Sequence, residues 1–254
     1  MGVDLAGKVA VVTGASGGLG AHFAGLLAKN GAAVAITARR VDKIQALADS
    51  IAASGGRAAA YALDVADAAA IAPALDRIQA EMGGLDILVN NAGVGGEGLA
   101  LDLSIEDFDN TFDVNVRGTF FAARESARRM IAAGVEGRIL NIASIASHTV
   151  LPGLSAYCGS KAAVAMLTRS MAREWARKGI AVNALCPGYI ETAINDAWWP
   201  TEGGQKQLKA FPRRRLMDAS DLDEAFLMLV GPAASAITGS VITVDDGQSL
   251  PGGG

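Results

Sequence analysis

The sequence predicts an α/β fold in which a doubly wound parallel sheet of seven strands carries helices on both faces. Short apolar runs alternate with longer amphipathic stretches along all 254 residues. The runs show little polar alternation, as is typical of strands that are covered on both faces. The connections between runs and stretches are short, which favours right-handed crossovers between parallel strands.

Each predicted element has its own local signal. Short apolar runs of β-type composition predict strands at Lys8–Thr13, Ala33–Ala38, Arg57–Leu63, Leu85–Val89, Arg138–Ala143, Ile180–Leu185 and Ser240–Val244. Amphipathic periodicity predicts helices at Leu19–Asn30, Val41–Ser54, Asp67–Met82, Ile105–Ala133, Leu154–Lys178 and Ser220–Val230. Several helices have an expected N-cap at Asp67, Ser104 or Ser220, and several are expected to end at Gly31, Gly55, Gly83, Gly134 or Gly179.

No linker or internal repeat divides the chain, so we expect residues 1–254 to form one domain. The long interruption is residues 188–218, between the sixth strand and the last helix. Open parallel sheets bind ligands at the carboxyl ends of their strands, where this segment begins. Long excursions in compact domains are often functional, so we expect a lid over the substrate.

Composition excludes several function classes. The chain has 22 Lys plus Arg against 26 Asp plus Glu, a balance that argues against nucleic-acid binding. Two cysteines, Cys158 and Cys186, and two histidines are too few for a four-ligand metal site, so no metal is expected. No apolar run approaches the ~18 residues of a membrane span, and the start lacks the features of a secretory signal. We therefore expect a cytoplasmic protein that does not enter a membrane.

A glycine-rich turn follows the first strand and precedes the first helix. In Thr13–Gly20, Gly14 permits a tight turn, Gly18 lets backbone amides approach a pyrophosphate, and Gly20 lets the helix pack on the sheet. The helix N-terminus would stabilise the phosphate charge. Position at the start of a strand–helix–strand unit favours dinucleotide binding on a Rossmann-type sheet over a purely structural turn.

The end of the second strand indicates which dinucleotide is bound. Enzymes that choose NAD place Asp or Glu there, whereas this chain has Arg39 and Arg40 after Ala38. Guanidinium groups suit a 2′-phosphate, so NADP(H) is preferred and NAD(H) is possible. The alternative is that both arginines lie at the solvated end of a strand. Asp64 and Val65 fit either an adenine contact or simple helix capping.

A serine, a tyrosine and a lysine form the sharpest constellation. Tyr157 and Lys161 are four residues apart in a helical pattern and share one face. A nearby ammonium should lower the pKa of a phenol from near 10, and an oxidised nicotinamide would add to that effect. Ser144 follows the fifth strand, where its hydroxyl could hold a carbonyl oxygen beside the phenol. Together these residues indicate hydride transfer at a carbonyl or alcohol carbon.

With these motifs the chain resembles the short-chain dehydrogenase/reductase family over nearly its whole length, and is similar to its 3-oxoacyl and carbonyl reductases. The TGxxxGxG turn, the NNAG sequence at Asn90–Gly93 and the Ser144–Tyr157–Lys161 set match the family's motifs. The resemblance implies that Tyr157 is the acid/base, that Lys161 binds the nicotinamide ribose, and that Ser144 orients the substrate. It also implies that Asn115 holds a water in a proton relay, that Thr192 after Pro187-Gly188 contacts the nicotinamide carboxamide, and that the protein is a homotetramer or homodimer. The expected cofactor contacts are Gly14, Ser16, Gly18, Leu19, Gly20, Arg39, Arg40, Asp64, Val65, Asn91, Ala92, Gly93, Tyr157, Lys161, Pro187, Gly188, Ile190 and Thr192.

Other residues carry weaker signals. His148 fits loop structure better than substrate contact. Trp198, Trp199 and Phe211 fit an apolar substrate wall or lid packing, with the wall slightly preferred. The Arg213–Arg215 run fits a solvated or salt-bridged face better than a site for a phosphate-bearing substrate.

The function expected from the sequence is hydride transfer between NADP(H) and a ketone or secondary alcohol, as in carbonyl or 3-oxoacyl reductases. One alternative is an NAD-linked dehydrogenase of a hydroxylated ring compound, such as a steroid or aromatic diol. Another is a dinucleotide-binding protein without chemistry, against which the complete Ser144, Tyr157 and Lys161 set counts.

Overall fold

A computed structural model describes residues 3–191 and 197–250 and confirms the predicted fold class. Its parallel sheet has the strand order β3-β2-β1-β4-β5-β6-β7. The strands are β1 Val9–Thr13, β2 Ala33–Ala38, β3 Arg57–Ala62, β4 Ile87–Asn90, β5 Gly137–Ile142, β6 Ile180–Pro187 and β7 Val241–Val244. The helices are α1 Gly18–Lys29, α2 Val41–Ala53, α3 Ala68–Met82, α4 Ile105–Phe112, α5 Thr119–Ala132, α6 Ser155–Trp175, α7 Glu202–Ala210 and α8 Asp223–Val230.

The strands are apolar because each face of the sheet packs against helices. Along β1, Ala10 and Val12 belong to the core shared with α1, α2 and α8, whereas Val9 and Val11 belong to the core shared with α3 and α5. In the first core the rings of Phe23 and Phe226 stack with centroids 4.2 Å apart. The order of the strands reverses between β1 and β4, so their carboxyl ends open the crevice where such sheets bind ligands.

The capping signals are confirmed with one exception. The Asp67 carboxylate accepts from the Ala69 N–H at 3.0 Å, and the Ser104 hydroxyl accepts from the Asp107 N–H at 3.0 Å. All five glycines expected after helices have positive φ. Ser220 is not a cap, because Asp218 opens the turn Ala219–Leu222 in a capping box with Asp221. A carboxylate two residues earlier thus replaces the predicted serine.

The predicted continuous helix Ile105–Ala133 is wrong in its middle. Between α4 and α5 the segment Asp113–Gly118 is a π-helix. Tertiary contacts hold it: the Asn115 amide bonds the Val94 backbone at both its oxygen and its nitrogen, and a side chain at Gly118 would lie 2.8 Å from the Val65 carbonyl oxygen. Such π segments often occur at functional sites, and this one carries Asn115.

After β6 the chain leaves the sheet, and a short paired stem joins residues 189–191 to Met217. The Met217 N–H donates to the Tyr189 carbonyl, and the Glu191 N–H donates to the Met217 carbonyl, both at 3.1 Å. Beyond the stem lies α7, which the sequence analysis did not predict and which Thr201 caps by accepting from the Gly204 N–H. No helix in the described ranges is long and apolar enough to cross a membrane.

Candidate active site

The glycine turn after β1 is shaped by close backbone packing. Gly14 has a φ of 66°, and a Cβ built there would lie 2.6 Å from the Cα of Ala92. A side chain at Gly20 would collide with the Asn91 amide and with the Gly14 carbonyl oxygen. By contrast, a Cβ on Gly18 would meet nothing within 4 Å. The turn is therefore packed against the protein on one side and open on the other.

Helix α1 begins above this turn with its first amides available to a ligand. Its N-cap is Gly17, which has no side chain to accept from them. The first N–H groups of a helix have no intrahelical acceptor and carry partial positive charge. This helix start, together with the open side at Gly18, fits a pyrophosphate.

Asn91 and Thr13 fasten the loop after β4 to the glycine turn. The Asn91 amide donates to the carbonyls of Thr13 and Gly14 at 3.0 and 3.2 Å. The Thr13 hydroxyl accepts the backbone N–H groups of Asn91 and Ala92, each at 3.1 Å. These four bonds fix the approach of Ala92 and Gly93, and a Cβ on Gly93 would lie 3.5 Å from the Lys161 ammonium. Gly93 thus lets the loop pass close to Lys161 with no side chain between them.

The two arginines after β2 lie beside the turn. Arg40 donates from Nη2 to the Ser16 hydroxyl at 2.8 Å and from Nε at 3.3 Å, so its guanidinium spans from β2 to the glycine turn. Arg39 and Arg40 are both exposed. In the described residues neither has a carboxylate within salt-bridge distance. Arg40 thus contacts Ser16, and both arginines are cations without a carboxylate partner among the described residues.

Asp64 and Val65 lie at the end of β3. The Asp64 carboxylate accepts from the Ala66 N–H at 3.0 Å, in a turn before α3, while Asp67 caps the helix itself. Val65 is buried and packs against Gly118. The simple capping alternative for Asp64 is therefore wrong, and its remaining lone pairs are available to a ligand.

Ser144, Tyr157 and Lys161 meet near the carboxyl end of β5. Tyr157 and Lys161 lie on α6, and the Lys161 ammonium is 5.6 Å from the centroid of the Tyr157 ring. The ammonium donates to the Ile142 carbonyl at 2.8 Å, which holds it against the strand. Ser144 is 9% exposed and accepts from the Ala146 N–H at 3.1 Å, and its side chain acts to lower the pKa of the Tyr157 phenol. The sequence-predicted trio is therefore one cluster.

The pKa values in this cluster differ from the sequence expectation. Burial raises the pKa of Tyr157, against the lowering effect of the hydrogen bond to Ser144. Burial also lowers the pKa of Lys161 from 10.5 to about 8. The expected lowering of the Tyr157 pKa by Lys161 does not occur in the protein alone, because loss of hydration outweighs the neighbouring groups. At neutral pH Tyr157 is a protonated phenol, and Lys161 is mostly an ammonium.

Asn115 joins the cluster through the π-helix. Its amide nitrogen donates to the Ser160 hydroxyl at 2.9 Å and to the Val94 carbonyl at 3.0 Å, and its oxygen accepts from the Val94 N–H at 2.8 Å. The Ser160 hydroxyl in turn donates to the Tyr157 carbonyl at 2.8 Å. Asn115 thus anchors the backbone around the tyrosine, and both N–H groups of its buried amide are used.

Pro187 and Gly188 end β6 at the same edge of the sheet. A Cβ on Gly188 would lie 2.9 Å from the Cα of Asp245, so the chain passes here without a side chain. Ile190 belongs to the stem and pairs with Met217. Thr192, the expected carboxamide contact, lies outside the described residues.

Comparison with known proteins agrees with this geometry. The sequence profile described as "short chain dehydrogenase" matches residues 8–203. The chain belongs to the short-chain dehydrogenase family. It is 36% identical over 246 residues to a D-threitol dehydrogenase of Mycolicibacterium smegmatis, which covers 97% of this chain and 94% of that protein. It is 35% identical over 248 residues to a gluconate 5-dehydrogenase of Gluconobacter oxydans, covering 97% and 96%.

A solved structure of a related dehydrogenase has the same fold. The gluconate 5-dehydrogenase of Burkholderia cenocepacia J2315, in complex with NADP and tartrate, superposes with a TM-score of 0.93 at 35% identity, covering 98% of this chain and 97% of that one. These matches, like the family profile, make this chain an NAD(P)-dependent oxidoreductase of alcohols and ketones.

The structure of this short-chain dehydrogenase also brings together residues that the sequence analysis did not connect. The Tyr189 ring stacks on the Phe211 ring, with the two centroids 5.6 Å apart. The Trp199 ring stands perpendicular to the Tyr189 ring, with the centroids 5.5 Å apart. Trp199 and Phe211 are each 7% exposed, so they pack against Tyr189 and do not form an open wall. No periodic signal links residues 189, 199 and 211, which only the returning stem brings together.

The remaining weak features have ordinary surroundings. Arg213 and Arg215 pair with the buried Asp246 carboxylate at 2.8 Å each, and Arg215 also pairs with Asp221 at 3.0 Å. The salt-bridged reading is the one that the geometry supports, with partners inside the chain. His148 is exposed and lies close enough to Asp245 to help lower the pKa of that carboxyl.

Proposed function

We propose that this dehydrogenase interconverts a ketone and a secondary alcohol with NADP(H), using Tyr157 as the acid and base. The observation that carries the proposal is the convergence of Ser144, Tyr157 and Lys161 beside the open side of the glycine turn. A protein that only binds dinucleotides has no need for a phenol, an ammonium and a serine hydroxyl gathered at one place.

The residues present fit the dinucleotide. The open turn at Gly18 and the uncapped start of α1 would hold the pyrophosphate. Arg39 and Arg40 would hold a 2′-phosphate through charge-assisted bonds, with Ser16 as a further donor once Arg40 has turned toward the phosphate. A related gluconate 5-dehydrogenase binds NADP, which supports the same choice here.

Bound NADP(H) would supply or accept the hydride at the reacting carbon. Tyr157 then gives its phenol proton to the carbonyl oxygen in reduction and takes the proton back in oxidation. Ser144 accepts from the Ala146 N–H, so its own O–H can donate to the same substrate oxygen. Lys161 is held by Ile142 with two N–H groups left for a ribose. Its positive charge stabilises the phenolate that oxidation requires.

Small oxygenated substrates fit this site better than large phosphate-bearing ones. The relatives are named for threitol and gluconate, a polyol and a sugar acid. Arg213 and Arg215 are engaged with carboxylates of the same chain, so they offer no ready site for the phosphates of an acyl-CoA. Ketone reduction of the carbonyl or 3-oxoacyl reductase type remains within the proposal, since the same proton transfer serves it.

The proposal includes an assembly, a lid and a location. A groove between α4, the π-helix, α5 and α6 is lined by the apolar side chains Phe112, Val116, Phe120 and Leu167, with Asp113 and Arg117 also in its wall, and Met166 next to Leu167 is 59% exposed. Such a face supports a homotetramer or homodimer, which light scattering would measure.

Residues 188–218 serve as the substrate lid. The thiols of Cys158 and Cys186 are free, as is usual in a reducing cytoplasm.

A spectrophotometric assay tests the activity. We expect purified protein with NADPH to reduce members of a panel of ketones and 3-oxoacyl thioesters, and with NADP to oxidise the matching alcohols. Tyr157→Phe should abolish turnover but leave NADPH affinity within about twofold, because only the proton donor is lost. A Tyr157→Phe variant that keeps most of its rate would show that another group moves the proton.

The cofactor preference has a separate test. We expect Arg39→Asp to reverse the preference from NADPH toward NADH, since a carboxylate repels the 2′-phosphate and accepts from a ribose hydroxyl. The two dissociation constants are compared by nucleotide fluorescence. An unchanged ratio of the constants would refute the assignment of Arg39.

A further inference from the structure

The turn that follows β7 is a firm support for the chain that packs on it. The Asp245 carboxylate accepts the N–H groups of Gly247 and Ser249 at 3.0 and 2.7 Å. The Gln248 N–H donates to the Asp245 carbonyl at 2.9 Å. These bonds close the turn on itself, so its remaining side chains are held in fixed directions.

Gln248 uses this support to hold the outgoing side of the stem. Its Oε1 accepts from the Tyr189 N–H at 2.6 Å, and its Nε2 lies 3.4 Å from the Tyr189 carbonyl and 3.5 Å from the Arg215 carbonyl. Tyr189 lies two residues after β6, which pairs with β5 as far as Ile142. The Ile142 carbonyl holds the Lys161 ammonium. Gln248 therefore acts on the chain at the same edge of the sheet as the catalytic lysine.

Asp246 holds the chain that returns from α7 to the stem. Its side chain is 9% exposed, and its two oxygens face Arg213 Nη1 and Arg215 Nε, each at 2.8 Å. The arginine side chains are 67% and 38% exposed, so they reach the carboxylate from the solvent side. Asp246 and Gln248 thus fasten both sides of the stem to one turn.

Two residues with left-handed backbone mark this contact. Asp246 has a φ of 55° and Arg214 a φ of 51°, and they are the two non-glycine residues of the described ranges with positive φ. Glycine adopts this region freely, whereas a side chain disfavours it. The chain therefore keeps side chains here against its local preference, and the Asp246 carboxylate is what this backbone presents to the arginines.

We propose that Asp246 and Gln248 are positioning residues that form a clasp, hold the lid in place and thereby set the affinity for substrate. Without the clasp only a fraction of the molecules have the lid in place, and the apparent KM rises by the inverse of that fraction. The kcat is kept, because bound substrate restores the same arrangement. For its effect on KM the inference rests on the proposed function, to which it adds how the lid is held.

Asparagine substitutions at the two left-handed positions test the charge of the clasp. Asparagine tolerates positive φ better than most residues, so Asp246→Asn keeps the backbone and removes the ion pairs. Arg214→Asn is the matched control, since Arg214 is exposed and makes no ion pair in the described ranges. Rates on an uncharged ketone with saturating NADPH are measured between about 0.02 and 0.5 M KCl, a range that screens exposed charges progressively.

We expect Asp246→Asn to raise KM about fivefold at low salt and to leave kcat within about twofold, because two ion pairs with exposed arginines are lost. The wild-type KM should rise with salt toward that of Asp246→Asn, which should itself depend on salt much less. Arg214→Asn should keep the wild-type KM and its salt dependence. NADPH affinity should be equal in all of these proteins.

Two further variants separate the parts of the clasp. Arg213→Gln removes one ion pair and should raise KM less, and combining it with Asp246→Asn should add nothing, since both act on one contact. Gln248→Ala should also raise KM, but its effect should persist at high salt, because the lost bond joins uncharged groups.

Hydrogen exchange provides a readout that needs no turnover. Peptides from residues 197–217 should exchange faster in Asp246→Asn than in the wild type without substrate, while peptides from α1 exchange alike. An unchanged KM or an unchanged exchange of residues 197–217 in Asp246→Asn overturns the clasp while ketone reduction stands, and so does an equal effect of Arg214→Asn.

A wild type that turns over no ketone overturns the proposed function, and the exchange of residues 197–217 then decides alone whether the clasp holds the lid. If Asp246→Asn does not fold, Arg213→Gln decides by the same KM and exchange measurements. Its side chain is largely in solvent, so its replacement is less disruptive.

Discussion

The buried ammonium of Lys161 predicts that its replacement by methionine makes the protein more stable at neutral pH while activity is lost. Lys161 is 5% exposed, and burial lowers its pKa from 10.5 to about 8. The difference corresponds to about 3 kcal/mol against the charged form in the folded state. Methionine leaves the Ile142 carbonyl without its 2.8 Å bond, at a cost of about 1 kcal/mol. We therefore expect Lys161→Met to gain about 2 kcal/mol near pH 7.

The pH dependence distinguishes this cause from better packing. A lysine whose folded pKa is depressed destabilises the fold in full below about pH 8, and the effect fades as the pH rises toward 10.5, where the unfolded chain also loses its proton. The wild type should therefore approach the variant in stability by about pH 9.5.

Thermal unfolding without cofactor provides the measurement. The Tm of Lys161→Met should exceed that of the wild type by about 4–8 °C near pH 7 and by almost nothing near pH 9.5. Lys178→Met, at an exposed lysine, is the control and should show no pH-dependent difference. A variant that is less stable than the wild type at pH 7, or a gap that does not close with pH, would refute the reasoning.

Three further predictions follow from the site and its supports. Since burial keeps Tyr157 protonated, kcat/KM for ketone reduction should stay nearly constant between about pH 6 and pH 9 while that for alcohol oxidation rises, and parallel profiles would contradict this. Gly14→Ala should lose cofactor binding and about 2–3 kcal/mol of stability, because its Cβ would overlap Ala92. The control Gly25→Ala has open space around it and should be neutral or slightly stabilising. Urea unfolding measures both variants. Burial raises the pKa of the Glu125 carboxyl, but three arginines outweigh this effect and hold that pKa below its usual range. Glu125→Gln should therefore lower the free energy of unfolding at neutral pH by about 2 kcal/mol. The difference from the wild type should shrink as the pH falls below about 4.

Features fixed by neighbouring residues were predictable from the sequence. Gly83 and Gly179 end helices because a left-handed residue suits the position just after a helix, a condition met within a few residues of chain. Tyr157 and Lys161 share a face because the helical repeat places residues four apart together. Ser144 lies with them because parallel strands end at one edge of the sheet.

Features fixed by distant contacts were not predictable. The π-helix exists because Asn115 is anchored to Val94 and Ser160, and the side-chain pattern of the segment is still that of an ordinary helix. The bond from the Trp198 indole to Gln207 Oε1 holds a residue before α7 against one within it, in a segment that the sequence predicted as a single loop. The direction of the Tyr157 pKa also escaped prediction, since desolvation depends on the packing of the whole crevice.

Burial acts on the two catalytic charges in a way that ties the base function to cofactor binding. Loss of hydration raises the pKa of the Tyr157 phenol and lowers that of the Lys161 ammonium, so it disfavours both charged forms at once. The protein alone is therefore prepared as an acid, with a protonated phenol ready to reduce a carbonyl. To act as a base, Tyr157 needs more positive charge than Lys161 gives, and an oxidised nicotinamide would supply that charge. Alcohol oxidation should then begin only after NADP has bound, whereas the proton for ketone reduction is already in place.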